Sequence, residues 1–115
     1  MSKGVKVHIG TLDDMGRRFV DAWRRAERGE KVDEAHITFI DLPALLAAIT
    51  PKRLDLLSYV RHHRVKNVKT LAASLGRDYK NVHKDVEELV KLGLLTRAPG
   101  EVRAPYAEVD ARLVL

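Results

Sequence analysis

Apolar residues recur at helical spacing in two consecutive segments of the second half of the chain. The first segment ends at Gly76, and glycine readily takes the left-handed conformation that follows many helices. Asp78 stands before the second segment, where its carboxylate can accept backbone amide hydrogens as an N-cap. Two helices joined by a short polar turn are therefore predicted. Their apolar stripes consist of Val68, Leu71, Ala72 and Leu75 in the first helix and of Val82, Val86, Leu89 and Val90 in the second.

A β-hairpin is predicted after these two helices. Residues 94–97 and 102–106 flank Pro99 and Gly100. Pro followed by Gly suits the two central positions of a type II turn, because Pro fixes the first φ and Gly tolerates a positive second φ.

A further helix is predicted before them. Thr50 and Pro51 have the character of an N-cap and a first helical residue. The apolar residues of this helix that would complete a three-helix core are Leu54, Leu57 and Val60.

Short strands and helices alternate in the first half of the chain. Val5, Val7 and Ile9 alternate with polar residues as in a strand, and a second strand is predicted at residues 35–40. The helix between them is capped by Thr11 and carries an apolar stripe, and another helix begins at Asp41. A connection that contains a helix is long enough to make the two strands parallel. Residues 107–115 alternate again and predict a C-terminal strand that pairs with an N-terminal strand, of its own chain or of a second one.

The order of helix, helix, helix and hairpin resembles the winged helix-turn-helix transcription regulators of the MarR-like and ArsR-like type. The resemblance extends from Thr50 to about Tyr106 and depends on an LAASLG helix followed by a KDVEELVKLGLL helix. It implies an α+β fold with a winged helix-turn-helix at residues 50–106. A strand-helix-strand-helix extension at residues 1–49 and a C-terminal strand at residues 107–115 complete the predicted organisation. The function that it implies is repression of transcription by a homodimer that binds double-stranded DNA, with the helix at 78–92 in the major groove.

Positive charge is concentrated in the same half of the chain. The formal net charge is +5, yet the first fifty residues contain eight Lys or Arg and eight Asp or Glu. Between Lys52 and Lys84 there are nine cations and two acids. A basic surface centred on a helix-turn-helix is typical of DNA binding. RNA and anionic membranes also attract such a surface, but the chain has no pattern of stacking aromatics and no apolar run long enough to span a membrane.

The predicted DNA contacts follow from helical geometry. Steps of about 100° per residue place Lys80 and Lys84 opposite the buried side of the second helix, with Asn81 beside them and Tyr79 and His83 on its flank. Lys and Asn side chains can reach base edges, whereas arginines along the surface hold phosphates. The residues predicted to hold phosphates or to add to the basic surface are Arg61, Arg64, Lys69, Arg77, Arg97 and Arg103.

Catalysis is not expected. The chain has no glycine-rich phosphate loop, no nucleophile elbow and no Cys, so disulfides and thiolate metal sites are excluded. His62 and His63 are adjacent on a helix and point about 100° apart, which is poor geometry for one metal ion. His8 and His36 fall on outward positions of the two predicted strands and could lie close together, but no third ligand recurs nearby. We expect no metal and no cofactor, and a cytoplasmic location because the N-terminus lacks an apolar secretion segment.

The stripe of Met15, Phe19 and Trp23 fits two roles. We expect it to pack mainly into the core, with part of it left for a partner such as a second copy of the chain. The strand-helix opening and PYAEV ending also resemble small prokaryotic winged-helix proteins that act as antitoxins beside RelE-fold toxins. That resemblance implies an alternative in which the N-terminal half neutralises a ribonuclease toxin and the winged helix represses the operon.

Overall fold

The computed structural model describes residues 4–10, 12–29 and 35–112. Within them the chain forms two compact units, which we call the sheet unit (residues 4–46 and 108–112) and the helical unit (residues 47–107). The elements are β1 (Gly4–Ile9), α1 (Leu12–Glu27), β2 (Ala35–Phe39), α2 (Leu42–Ala48), α3 (Pro51–His62), α4 (Val68–Leu75), α5 (Tyr79–Lys91), β3 (Thr96–Ala98), β4 (Glu101–Arg103) and β5 (Glu108–Ala111). The fold is a mixed one of helices and strands, compatible with the α+β class. None of the helices in the described ranges is long and apolar enough to cross a membrane.

A three-stranded sheet organises the sheet unit. Its order is β2-β1-β5 and both pairings are parallel, which confirms the parallel arrangement expected for β1 and β2. The C-terminal strand β5 pairs with β1 of its own chain, and the end of the predicted strand at residues 113–115 lies outside the described residues. Val5 and Val7 of the central strand are 1% exposed, because alternation directs both to the apolar face of the sheet.

Helix α1 does not place its apolar stripe in a core. Met15, Phe19 and Trp23 are 46%, 67% and 59% exposed, so the expectation of core packing is wrong for these three residues. The less exposed side of α1 carries Arg18 instead, which donates a hydrogen bond to the hydroxyl of Thr38 on β2. The polar face of the sheet offers partners for a guanidinium group and not for an apolar stripe. The predicted cap Thr11 lies outside the described residues.

Helix α3 begins as predicted but buries a different stripe. The Thr50 hydroxyl accepts the Arg53 amide hydrogen at 3.2 Å, and Pro51 is the first helical residue. Leu56 is fully buried and Leu57 and Val60 are buried, whereas Leu54 is 44% exposed and does not belong to the core. Steps of about 100° per residue put Leu54 at the margin of the row formed by residues 53, 56, 57 and 60.

The turn between α4 and α5 has the predicted signals at both ends. Gly76 takes φ +64° after α4, and its amide donates to carbonyls of the last turn. Asp78 caps α5 by accepting the Asn81 amide hydrogen at 3.3 Å. Val82, Val86 and Leu89 are fully buried, so the stripe fixes which side of α5 faces the core.

The predicted hairpin follows as β3 and β4. Gly100 in the turn has φ +76°, the positive value that a type II turn requires at its second centre. The Val102 amide donates to the carbonyl of Val65 at 2.9 Å, and this bridge attaches the hairpin to the segment between α3 and α4.

Candidate nucleic-acid interface

The outward side of α5 is polar and exposed along its first two turns. Lys80, Asn81 and Lys84 are all exposed, while the stripe on the opposite side is buried. Because this stripe packs into the core of the helical unit, the backbone that carries the three exposed side chains is held in place. Two ammonium groups and one carboxamide at the start of a helix can bind phosphates and base edges.

Aromatic residues occupy the flank of the same helix. Tyr79 is 49% exposed, and its ring lies 5.6 Å from the His83 ring between centroids. Nδ1 of His83 lies 3.4 Å from a carboxylate oxygen of Glu87, one turn further along. The flank therefore adds stacking surface and hydrogen-bonding groups beside the cationic start of α5.

Other elements of the helical unit also carry exposed cations. Arg61 donates from Nη1 to the Ala104 carbonyl at 3.2 Å, so the end of α3 contacts the chain just after β4. Arg103 on the hairpin lies 3.3 Å from Glu101, with most of its side chain in solvent. The other predicted phosphate-binding or basic residues that are exposed are Arg64, Lys69 and Arg97.

Arg77 is an exception among the predicted phosphate contacts. Its Nη2 atom lies 2.7 Å from Oδ2 of Asp85, and its side chain is only 20% exposed. Its other terminal nitrogen, Nη1, is buried and has no hydrogen-bond partner within the described residues. In this conformation Arg77 is held inside the helical unit and is not extended from its surface.

Asp85 also binds a second arginine, Arg53. The sequence analysis did not single out Asp85 or Arg53 as site residues. Nε of Arg53 donates to Oδ1 of Asp85 at 3.0 Å, and Arg53 also donates to the carbonyl of Ala48 at 2.8 Å. The available signal was the row of α3, in which Arg53 occupies the same side as Leu56 and Leu57. We call Arg53, Arg77 and Asp85 the arginine clamp.

Asp85 is ionised in this setting. Burial by itself would raise the pKa of the carboxyl, but hydrogen bonds from Arg77 and Arg53, together with their positive charges, outweigh burial. The pKa of Asp85 therefore lies below its ordinary value. A carboxylate that stays charged between two guanidinium groups can hold both of them at neutral pH.

The histidines form pairs and local contacts. His8 Nε2 lies 2.8 Å from His36 Nδ1 on the polar face of the sheet, so the predicted proximity of these two residues is confirmed. His62 and His63 each lie within hydrogen-bonding distance of a backbone carbonyl one turn earlier on α3. No group of three His, Asp or Glu side chains among the described residues is placed to hold a metal ion.

Comparison with known proteins identifies a family. The chain belongs to the HVO_A0114 family, whose model matches residues 48–111. The matched segment contains α3, α4, α5, the hairpin and β5, and it includes every residue of the candidate interface. No curated protein and no solved structure matches the chain.

Proposed function

We propose that the chain is a transcription regulator of the winged helix-turn-helix class that binds specific double-stranded DNA sequences. One observation supports the proposal most: Lys80, Asn81 and Lys84 are exposed at the start of α5, while the apolar stripe of the same helix is fully buried. A helix presented in this way can enter the major groove with its donors toward the base edges. Asn81 would read bases, and the two lysines would bind nearby bases or phosphates.

The hairpin and the end of α3 would contact the phosphates of the DNA backbone. Arg97 and Arg103 are exposed on β3 and β4, and the bridge between Val65 and Val102 attaches this hairpin to the helices. In the proposed complex the hairpin is the wing, which follows the phosphates beside the groove. Arg61 and Arg64, which are exposed at and just after the end of α3, would add further phosphate contacts.

A second copy of the chain would complete the regulator through the exposed face of α1. Met15 and Trp23 lie one turn on either side of Phe19, so two antiparallel copies of α1 would place Phe19 against Phe19 and Met15 against Trp23. Such a two-fold contact is self-complementary, and sulfur packs favourably against aromatic rings. At roughly 100 Å² for each exposed apolar side chain, these three residues supply roughly 300 Å² of the 800 Å² or so that one partner buries in a stable interface, and the rest would come from the surface around them.

Titration of duplex DNA at several salt concentrations tests DNA binding. We expect the logarithm of the binding constant for random-sequence duplex to fall linearly with the logarithm of salt concentration. Replacing Lys80 and Lys84 together with Ala should make this slope shallower by about two units, because each lysine neutralises about one phosphate. Selection from a random pool should return an inverted repeat, since two related half-sites match a two-fold dimer.

Lys91→Ala is the matched control for this experiment. Lys91 lies on the same helix, but at its C-terminal end, where Nζ is 3.4 Å from Glu88. Its removal should leave the salt slope unchanged. Binding that is independent of salt, or an equal loss in the Lys91 variant, would count against the proposed interface.

A further inference from the structure

One carboxylate joins three parts of the helical unit. Asp85 lies on α5, its partner Arg53 on the first turn of α3, and its partner Arg77 in the turn between α4 and α5. The side chains of Asp85 and Arg53 are 14% and 11% exposed. Arg53 also reaches the carbonyls of Ala47 and Ala48, so the clamp holds the end of α2 as well.

The arginine clamp supplies directional contacts to α5, which the apolar stripe of this helix lacks. Contacts of Val82, Val86 and Leu89 fix which side of α5 faces the core, but the hydrophobic effect is not directional and defines small rotations and shifts of the helix less strictly. Charge-assisted hydrogen bonds depend on direction, and two of them from different elements fix one point of α5. Asn81 lies one turn before Asp85 on the same helix, so the orientation of Asn81 depends on this point.

The same bonds keep Arg77 away from the DNA-facing surface. Nη1 of Arg77 is buried without a hydrogen-bond partner within the described residues. A guanidinium in that position is stable only while a negative charge compensates it. Removing the charge of Asp85 should therefore release Arg77 into solvent.

We propose that Asp85 is a positioning residue for DNA recognition, which orients the base-reading side of α5 and withholds Arg77 from the phosphates. The proposal depends on the proposed function. It assigns a role in sequence specificity to a residue that does not itself touch DNA. It also implies that Arg77 does not contact DNA phosphates in the parent protein.

Salt-dependent binding of the full chain to a selected site and to random duplex tests this assignment. In Asp85→Asn the ratio of the affinity for the selected site to the affinity for random duplex should fall about tenfold. The reason is that α5 is no longer fixed at residue 85 and directs Asn81 less well toward base edges. The salt slope on random duplex should become steeper by about one unit, because freed Arg77 gains a phosphate. In the double variant Asp85→Asn with Arg77→Ala, the slope should return to the parent value while the affinity ratio stays low.

Two single variants sharpen the result. Glu88→Gln removes one negative charge from the same helix, where the side chain is 41% exposed, and should change neither the affinity ratio nor the slope by a comparable amount. Arg77→Ala alone should leave the slope on random duplex unchanged. A slope that becomes shallower by one unit in Arg77→Ala would overturn the proposal, as would an Asp85→Asn variant that behaves like Glu88→Gln.

A measurement without DNA separates this proposal from the proposed function. In the parent protein, the guanidinium protons of Arg77 should exchange slowly enough to be seen by NMR, and Asp85→Asn should abolish these signals. If the parent bound no duplex DNA, the proposed function would fail while these signals still reported the clamp. If these signals are absent from the parent, the arginine clamp is refuted, whether or not the protein binds DNA. If Asp85→Asn does not fold, the salt slope of Arg77→Ala still tests the proposal.

Discussion

At the scale of single residues, the surroundings of each arginine decide what its charge can do. Arg53 is 9% exposed, and both Arg53 and Arg77 are bonded to the carboxylate of Asp85. Arg97 and Arg103, in contrast, are exposed on the hairpin. Two of the nine cations between Lys52 and Lys84 therefore share the one negative charge of Asp85, and the charge of one of them is compensated. The formal charge of that segment overstates the field available to a phosphate, because a buried ion pair projects little charge into solvent.

The His8 and His36 pair predicts a pH dependence confined to the sheet unit. Burial lowers the pKa of His8, and Arg18, His36 and Lys6 lower it further, while Asp110 opposes them. A histidine whose pKa is lowered on folding stabilises the fold above its unfolded pKa and loses that contribution as the pH falls through the folded pKa. Protection of β1 amides from hydrogen exchange should therefore decrease on acidification from about pH 7 to about pH 5.

His8→Asn should remove most of this decrease, because no imidazole remains beside His36. His62→Asn is the control, since His62 is exposed on α3, where its Nδ1 lies 2.8 Å from the Ser58 carbonyl oxygen. Equal pH dependence in the parent and in His8→Asn would show that the pair does not control it.

At the scale of elements, two glycines on helices are expected to respond oppositely to the same substitution. Gly76 ends α4 with φ +64°, where an L side chain is strained, although the space for a Cβ is open. Gly76→Ala should destabilise the helical unit by about 1 to 2 kcal/mol. Gly16 lies within α1 with open space around it and no positive φ, so Gly16→Ala should stabilise α1 by about 0.5 to 1 kcal/mol.

Amide hydrogen exchange measured separately on α4 and α1 checks this pair. The two helices belong to different units, so one global melting temperature would mix their effects. A neutral Gly76→Ala would contradict the requirement for a left-handed residue at the end of α4.

At the scale of the whole molecule, the two units differ in how much apolar surface they leave exposed. Among the described residues, seven of the nine large exposed apolar side chains belong to the sheet unit, and only Leu54 and Tyr79 belong to the helical unit. We therefore expect the proposed association to involve the sheet unit. Trp23 is the only tryptophan in the chain and lies on the exposed face of α1, so its fluorescence reports on that face.

The parent chain should sediment as a dimer, and its tryptophan emission should move to shorter wavelength as the dimer forms. Phe19→Ser should give a monomer with emission at longer wavelength, because Phe19 lies at the centre of the proposed contact. Leu54→Ser removes a side chain that is 44% exposed in the helical unit and should leave the dimer intact. A parent that stays monomeric until a different protein binds α1 would overturn the homodimer in favour of the antitoxin alternative.

The local elements of this protein could be predicted from its sequence because their signals are local. Thr50, Asp78, Gly76 and Gly100 each act on backbone groups within a few residues, and the structure has each in its predicted role. The outward side of α5 followed from helical periodicity in the same way. The parallel pairing of β1 and β2 was predictable from the length of the connection between them.

Contacts between distant residues were decided only by the tertiary structure. Asp85 and Arg53 are separated by 32 positions, and neither stands out in a pattern of apolar residues. The bridge from Val65 to Val102 likewise joins a loop to a strand. The exposure of Phe19 and Trp23 also escaped prediction, because an amphipathic stripe shows that a helix has an apolar side and not whether its own chain covers that side. Sequence therefore determined the elements, through interactions within a few residues, whereas packing determined which charges are compensated and which apolar face stays in solvent.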